Sequence, residues 1–151
     1  MRRIKRAKNK ESLYQSLGGA GGTDKLFDSM KDVFMFAAAL GFARGERKPL
    51  EGGVEVFGPT VFSQEDLTMM YLMAIADTEE IDILHPEREE ELVTIIEEYA
   101  NAGIDHLANS VLNSPGEALD NLITLVGREA NSYSQPPDIV DRIAERFLPY
   151  Q

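Results

Sequence analysis

The chain has no cysteine, no tryptophan and only two histidines among its 151 residues. Without cysteine it can form no disulfide framework, no thiolate metal site and no cysteine nucleophile, and a reducing, cytoplasmic setting is expected. Long hydrophobic runs are missing too. The longest, Val33–Phe42, is about half of what a membrane span requires. Met1-Arg2-Arg3-Ile4-Lys5-Arg6 has the charge of a secretory leader's start, but no apolar stretch or cleavage site follows it. Apolar residues make up 43% of the sequence, enough to build one core in a domain of this length.

Positive charge is scarce and unevenly placed. Residues 1–50 carry 11 Lys or Arg against 5 Asp or Glu, whereas residues 51–151 carry 4 against 21, for a net charge of −11. A uniformly acidic protein repels nucleic acid, yet a basic end can still meet a phosphate backbone while the acidic remainder faces a basic partner. Solvated, solubilising surface is the plainer reading of both charge blocks.

Hydrophobic spacing predicts a mainly α, single-domain bundle of about five or six helices over residues 1–151, with at most a small β-hairpin. Residues 1–10 read as a basic N-terminal arm, either an edge strand or disordered. A short helix capped by Asn9 or Ser12 runs to Leu17, and Gly18–Gly22 breaks regular structure. Ser29 caps a helix that is apolar nearly all round from Met30 to Leu40, as a central buried helix would be, and Gly41 or Gly45 ends it. Val54–Phe57 and Thr60–Phe62 are β-prone and could pair with each other. Ser63–Asp66 forms a capping box for a helix whose apolar face is Leu67, Met70, Tyr71, Met73, Ala74 and Ile75. Met69, Met70 and Met73 suit either core or an interface stripe.

The strongest helical pattern spans about 86–112, with Ala100 and Gly103 leaving room for close approach of another helix. Ser114-Pro115-Gly116-Glu117 predicts a further start, with Leu119, Leu122, Ile123 and Val126 facing inward. Residues 131–151 read as a C-terminal helical extension, with Pro137 opening a helix that turns Ile139, Val140, Ile143, Phe147 and Leu148 inward.

Patterns that carry chemistry are sparse. Gly18–Lys25 lacks the Gly-Lys-Ser/Thr ending of a phosphate-binding loop. His85 and His106 lie too far apart along one helix to share a metal, and no zinc motif is present. No serine has a histidine at motif spacing. Glu87, Glu89, Glu90, Glu91, Glu97 and Glu98 read as a solvated helix face rather than a cation site. No enzyme, cofactor or metal is expected. The best contact candidates are cations: Arg2, Arg3, Lys5, Arg6, Lys8 and Lys10 in the arm, and Arg44, Arg47 and Lys48 after the central helix. No recognition helix, zinc finger or RNA-binding signature accompanies them.

Three segments add context. They are the Arg6–Glu11 pattern, Met30–Phe42 with the following Arg44–Leu50, and Glu97–Ile104. In that order, over about residues 5–127, they resemble the DNA phosphorothioation (Dnd) system-associated protein 4 family, whose members accompany bacterial DNA modification and restriction genes. The family pattern has Tyr-Ala-Asn-Gly-Gly where this chain has Tyr99-Ala100-Asn101-Ala102-Gly103, and the extension beyond about residue 131 lies outside it. The resemblance implies an accessory protein of an antiphage defence system, acting through DNA, proteins of the same system, or both. It supplies no catalytic residue. A protein-only adaptor, whose acidic helix around Glu87–Glu98 recognises a basic partner, is the alternative, and homo-oligomerisation is open.

Overall fold

The computed structural model describes residues 1–18 and 26–132, and Arg146. Strand β1 (Ile4–Ala7) leads into helix α1 (Glu11–Leu17), then α2 (Met30–Arg44), strand β2 (Gly53–Phe57), α3 (Gln64–Thr78), α4 (Glu89–Val111) and α5 (Ala118–Ser132). Short 3-10 turns link several of them. The protein is mainly α, and its helices share one hydrophobic core with a two-stranded antiparallel sheet. Among the described residues no helix is long and apolar enough to cross a membrane.

Helix α4 is the central element, with 14 of its 23 residues buried. Helix α2 packs along it and buries Val33, Phe34, Met35, Ala37, Ala38, Leu40 and Gly41, as its all-round apolarity predicts. The Ser29 hydroxyl accepts from the Asp32 N–H at one end of α2, and Gly45 closes the other end with φ +66°. That left-handed conformation suits a residue without a side chain. Gly41 lies inside the helix and serves packing instead. The capping box of Ser63 and Asp66 opens α3 in full.

Several elements depart from the expectation. The partner of Val54–Phe57 is the N-terminal arm, in the register Ile4↔Phe57, Lys5↔Glu55, Arg6↔Val54 and Ala7↔Gly53. Pro59 starts a 3-10 turn, and Phe62 joins Phe34 and Phe57 in an aromatic cluster with centroids 5.4–6.3 Å apart. Burial of that ring, rather than β propensity, sets the local backbone. Neither Asn9 nor Ser12 caps α1, because a 3-10 turn over Lys8–Lys10 leads directly into it. Pro86–Arg88 is a 3-10 turn, so α4 begins at Glu89.

The predicted start at Ser114 is also displaced, and α5 begins at Ala118. The Ser114 hydroxyl donates to the Asn109 carbonyl of the preceding helix, while the Asn121 amide donates to the Val111 and Ser114 carbonyls. Among the described side chains of α5, Leu125 is the buried one. Leu119 and Ile123 are 56% and 62% exposed, and Val126 is exposed as well. On α3, Met70 and Met73 are core, but Met69 and Tyr71 face outward. The Gly-rich segment beyond Gly18 and the helix expected from Pro137 fall on residues outside those described.

Candidate interaction site

Among the described residues, three polar ones are buried with the apolar core: Arg6, Glu97 and Asn101. Glu97 and Asn101 belong to the seam between the N-terminal arm, the turn after α2, and α4, whereas Arg6 joins the arm to α1 and β2. Glu97, expected on a solvated face, is only 5% exposed. Its two carboxylate oxygens accept from Arg2 Nη1 and Nη2 at 2.8 Å each, and one also accepts from the Lys5 backbone N–H at 2.6 Å. Arg2 further donates to Glu90 at 2.6 Å. The Glu97 pair is the largest influence on the Arg2 guanidinium and pushes its pKa still further above its ordinary value. A buried carboxylate requires this degree of compensation, because an unpaired one would lose its hydration with nothing in exchange. Glu97 thus occupies the edge of β1 that β2 leaves open, and ties it to the central helix.

The other candidate cations have definite places. Arg6 donates to both oxygens of Glu11 at 2.6 and 2.9 Å, with its guanidinium carbon 4.7 Å from the Tyr14 ring centroid and 5.5 Å from that of Phe57. Lys10 and Lys48 converge on Asp105, Lys48 at 3.1 Å. Arg47 bridges Asp77 at 2.8 Å and Glu98 at 3.0 Å, over the Tyr99 ring. Arg44 reaches Glu129 on α5 at 2.8 Å. Arg3, Lys5 and Lys8 form no ion pair among the described residues. Arg3 donates weakly to the Val56 carbonyl at 3.5 Å. Arg3 and Lys5 alternate with the buried Ile4 and Arg6, which places their side chains on the outer face of the strand.

Around Asp105, burial works to raise the carboxyl pKa, but hydrogen bonds from Lys10 and Lys48 overcome it and hold the group below the ordinary carboxylate range. The folded value therefore lies below the unfolded one. Its stabilisation is complete at neutral pH and is lost as pH falls below about 4, through the lowered value. Asp105→Asn should lower the urea midpoint at pH 7, and the gap from wild type should shrink by pH 3. A gap of equal size at both pH values would contradict this.

Asn101 is also 5% exposed, and its Nδ2 donates to the carbonyls of Lys48 and Pro49 at 3.1 Å each. The Lys48 N–H donates back to the Glu98 carbonyl at 3.0 Å. The turn after α2 is therefore stitched to α4 by backbone as well as charge. Asn101→Ala should cost about 1–2 kcal/mol in urea unfolding, since two carbonyls lose their donor. Tyr99 donates to Asp77 beside this turn, and burial, then that hydrogen bond, raises the phenol's pKa.

The residues missed in the sequence are the acids that receive these cations. Glu90, Glu97 and Asp105 recur at intervals of seven and eight along α4. That spacing places them on one stripe of a helix, and the arm runs along it from Arg2 to Lys10. The spacing was a usable signal, although burial of Glu97 was not visible without the partner strand. Away from this seam, His106 pairs with Glu46 at 2.6 Å, and His85 stands exposed at the turn before α4. Among the described residues no three potential ligands cluster as a metal site would.

These features define a small, mainly helical protein in which six of the nine candidate cations meet acidic residues of the same chain, four of them on α4. The family described as DNA sulphur modification system-associated protein 4 matches residues 3–143, and the chain belongs to that family. It is thereby associated with a DNA sulphur modification system, as the ordered motifs implied. No curated protein and no solved structure matches it.

Proposed function

We propose that the chain is a non-enzymatic accessory protein of a DNA sulphur modification system and acts through contact with another protein. The observation that carries this reading is the internal commitment of positive charge. Of the nine candidate cations, six (Arg2, Arg6, Lys10, Arg44, Arg47 and Lys48) form intramolecular ion pairs. A duplex would have to displace these carboxylates before it could use them. The remaining surface is strongly acidic, which repels phosphate and favours a basic partner.

The non-enzymatic part is supported by the use of the buried polar groups. Arg6, Glu97 and Asn101 each join one segment of the chain to another. A second reading, direct duplex contact, is supported by Arg3, Lys5 and Lys8, which form no ion pair among the described residues.

Co-expression with the other proteins of the same system, followed by size-exclusion chromatography with light scattering, tests the proposal. A stoichiometric complex with one of them that survives nuclease treatment is the expected result. Elution of the chain apart from every one of them would overturn it.

A further inference from the structure

From Pro49 to Glu87 inclusive the chain contains no Lys or Arg, and nine Asp or Glu. This stretch builds α3 and the 3-10 turn Ile81–Leu84. The inner side of α3 buries Met70, Met73, Ala74 and Ile75. Around its outer arc, at about 100° per residue, Tyr71, Thr68, Leu72, Glu65 and Met69 follow one another, all exposed. Met69 and Leu72 are each 45% exposed, and Ile81 and Leu84 extend the apolar surface past the helix end. Tyr71 and Leu84 stand at a cleft of about 310 Å³ whose floor includes Ile83 and Leu92.

The charges left open around this surface are acidic, since the Met1 amino group that borders the cleft is held by Glu89 at 3.0 Å. Glu65 stands at one end, and Asp82 and Glu87 at the other, exposed and without an ion pair among the described residues. Arg88, the first cation after the stretch, is already held by Glu80 and Glu91.

We propose that the outer face of α3 and the adjoining Ile81–Leu84 turn dock a basic amphipathic helix of a partner protein. This rests on the protein-contact reading above and names its surface. One apolar side chain of the partner enters the cleft by Tyr71 and Leu84, neighbouring apolar residues lie on Leu72 and Met69, and flanking Lys or Arg meet Glu65, Asp82 and Glu87. The chemistry selects this occupant. An apolar strip with an acidic rim matches a helix with one apolar and one cationic face. Methionine adapts its shape to such a helix. A second copy of this chain is disfavoured, because it would bring like-charged rims together on a protein of net charge −11.

The test is fluorescence anisotropy of the full chain with a labelled Leu/Lys amphipathic peptide of roughly four helical turns. A Leu/Glu peptide of the same pattern serves as the charge control. Three double variants are compared: Tyr71→Ser with Leu72→Ser, Asp82→Lys with Glu87→Lys, and Glu117→Lys with Asp120→Lys. The last changes net charge as much as the second, at exposed positions near the start of α5. The Leu/Lys peptide should bind and the Leu/Glu peptide should not. The first two variants should each weaken binding about tenfold, and the third should leave it within about twofold.

Absence of binding, equal binding by all variants, or equal weakening by the α5 pair would overturn the proposal. So would a wild-type dimer in sedimentation that the Tyr71/Leu72 variant abolishes, since a second copy would then own the face. A system complex that forms and tolerates both face variants removes this surface and leaves the protein-contact reading standing. Failure of any system complex to form removes that reading, and with it the proposed surface.

Discussion

Replacing Gly103 by alanine should destabilise the protein by about 4 kcal/mol, among the largest effects expected of a single methyl. A Cβ on Gly103 would lie 1.7 Å from the Ala37 carbonyl oxygen and 2.6 Å from its carbon. The opposite helix has the reciprocal constraint, since a Cβ on Gly41 would lie 2.1 Å from the Tyr99 carbonyl oxygen. These are backbone atoms of two packed helices, so no side-chain rotation relieves the clash. Helices α2 and α4 must separate, and Phe34, Val33, Ile96 and Ile104 lose packing along the seam. The thermal midpoint should fall by roughly 10 °C. Gly127 on α5 provides the contrast, because a Cβ there meets nothing within 4 Å. Gly127→Ala should stabilise by about 0.5–1 kcal/mol through helix propensity and reduced unfolded-state entropy. Urea unfolding followed by circular dichroism measures both. A Gly103→Ala protein within about 1 kcal/mol of wild type would show that the helices do not approach this closely.

The second large effect is expected from Glu97→Ala, at about 3 kcal/mol. The substitution removes the carboxylate that both Arg2 terminal nitrogens and the Lys5 N–H share, and leaves a partly buried guanidinium with Glu90 and the Arg3 carbonyl as its partners. Strand β1 would keep its ladder to β2 but lose its anchor on α4. The Lys5 amide should then lose most of its hydrogen-exchange protection. Glu97→Gln should fall between wild type and alanine, because its carbonyl still accepts one bond. Glu87→Ala, on the exposed turn before α4, should stay within about 0.5 kcal/mol. Unchanged Lys5 protection in Glu97→Ala would mean that the arm is held by other contacts.

The contrast between these acids shows what could be read from the sequence. Helix α2 was legible in its start and its buried run, because Ser29 and the all-round apolarity point to the same element, while its end was left between Gly41 and Gly45 and falls at Gly45. The close helix approach at Gly103 was legible as well, since a small residue on an otherwise apolar stripe has few other uses. The sheet was half legible. Val54–Phe57 reads as a strand, but local sequence cannot reveal that its partner lies about fifty residues earlier, in a segment dominated by charge.

Helix α5 was misjudged for a different reason. Its apolar residues are periodic, yet periodicity does not say which part of an apolar arc meets the core. Asn121 locks the first turn onto the end of α4 and turns Leu125, rather than Leu119 or Ile123, inward. The acidic stripe on α4 was misjudged because helix-start glutamates are usually solvated. Glu97 differs through its position two turns further in, beneath the arm.

The central claim, that the basic residues of this chain serve its own fold rather than a nucleic acid, is tested most directly by titrating it into a labelled DNA duplex, with and without phosphorothioate, at about 50 and 150 mM salt. Either duplex should show no saturable anisotropy change at micromolar protein, even at the lower salt. Tight binding that weakens steeply with salt, at a log–log slope near the 0.9 per phosphate expected of displaced counterions, would contradict it. Arg2, Lys10, Arg47 and their neighbours would then have to exchange their carboxylate partners for phosphates.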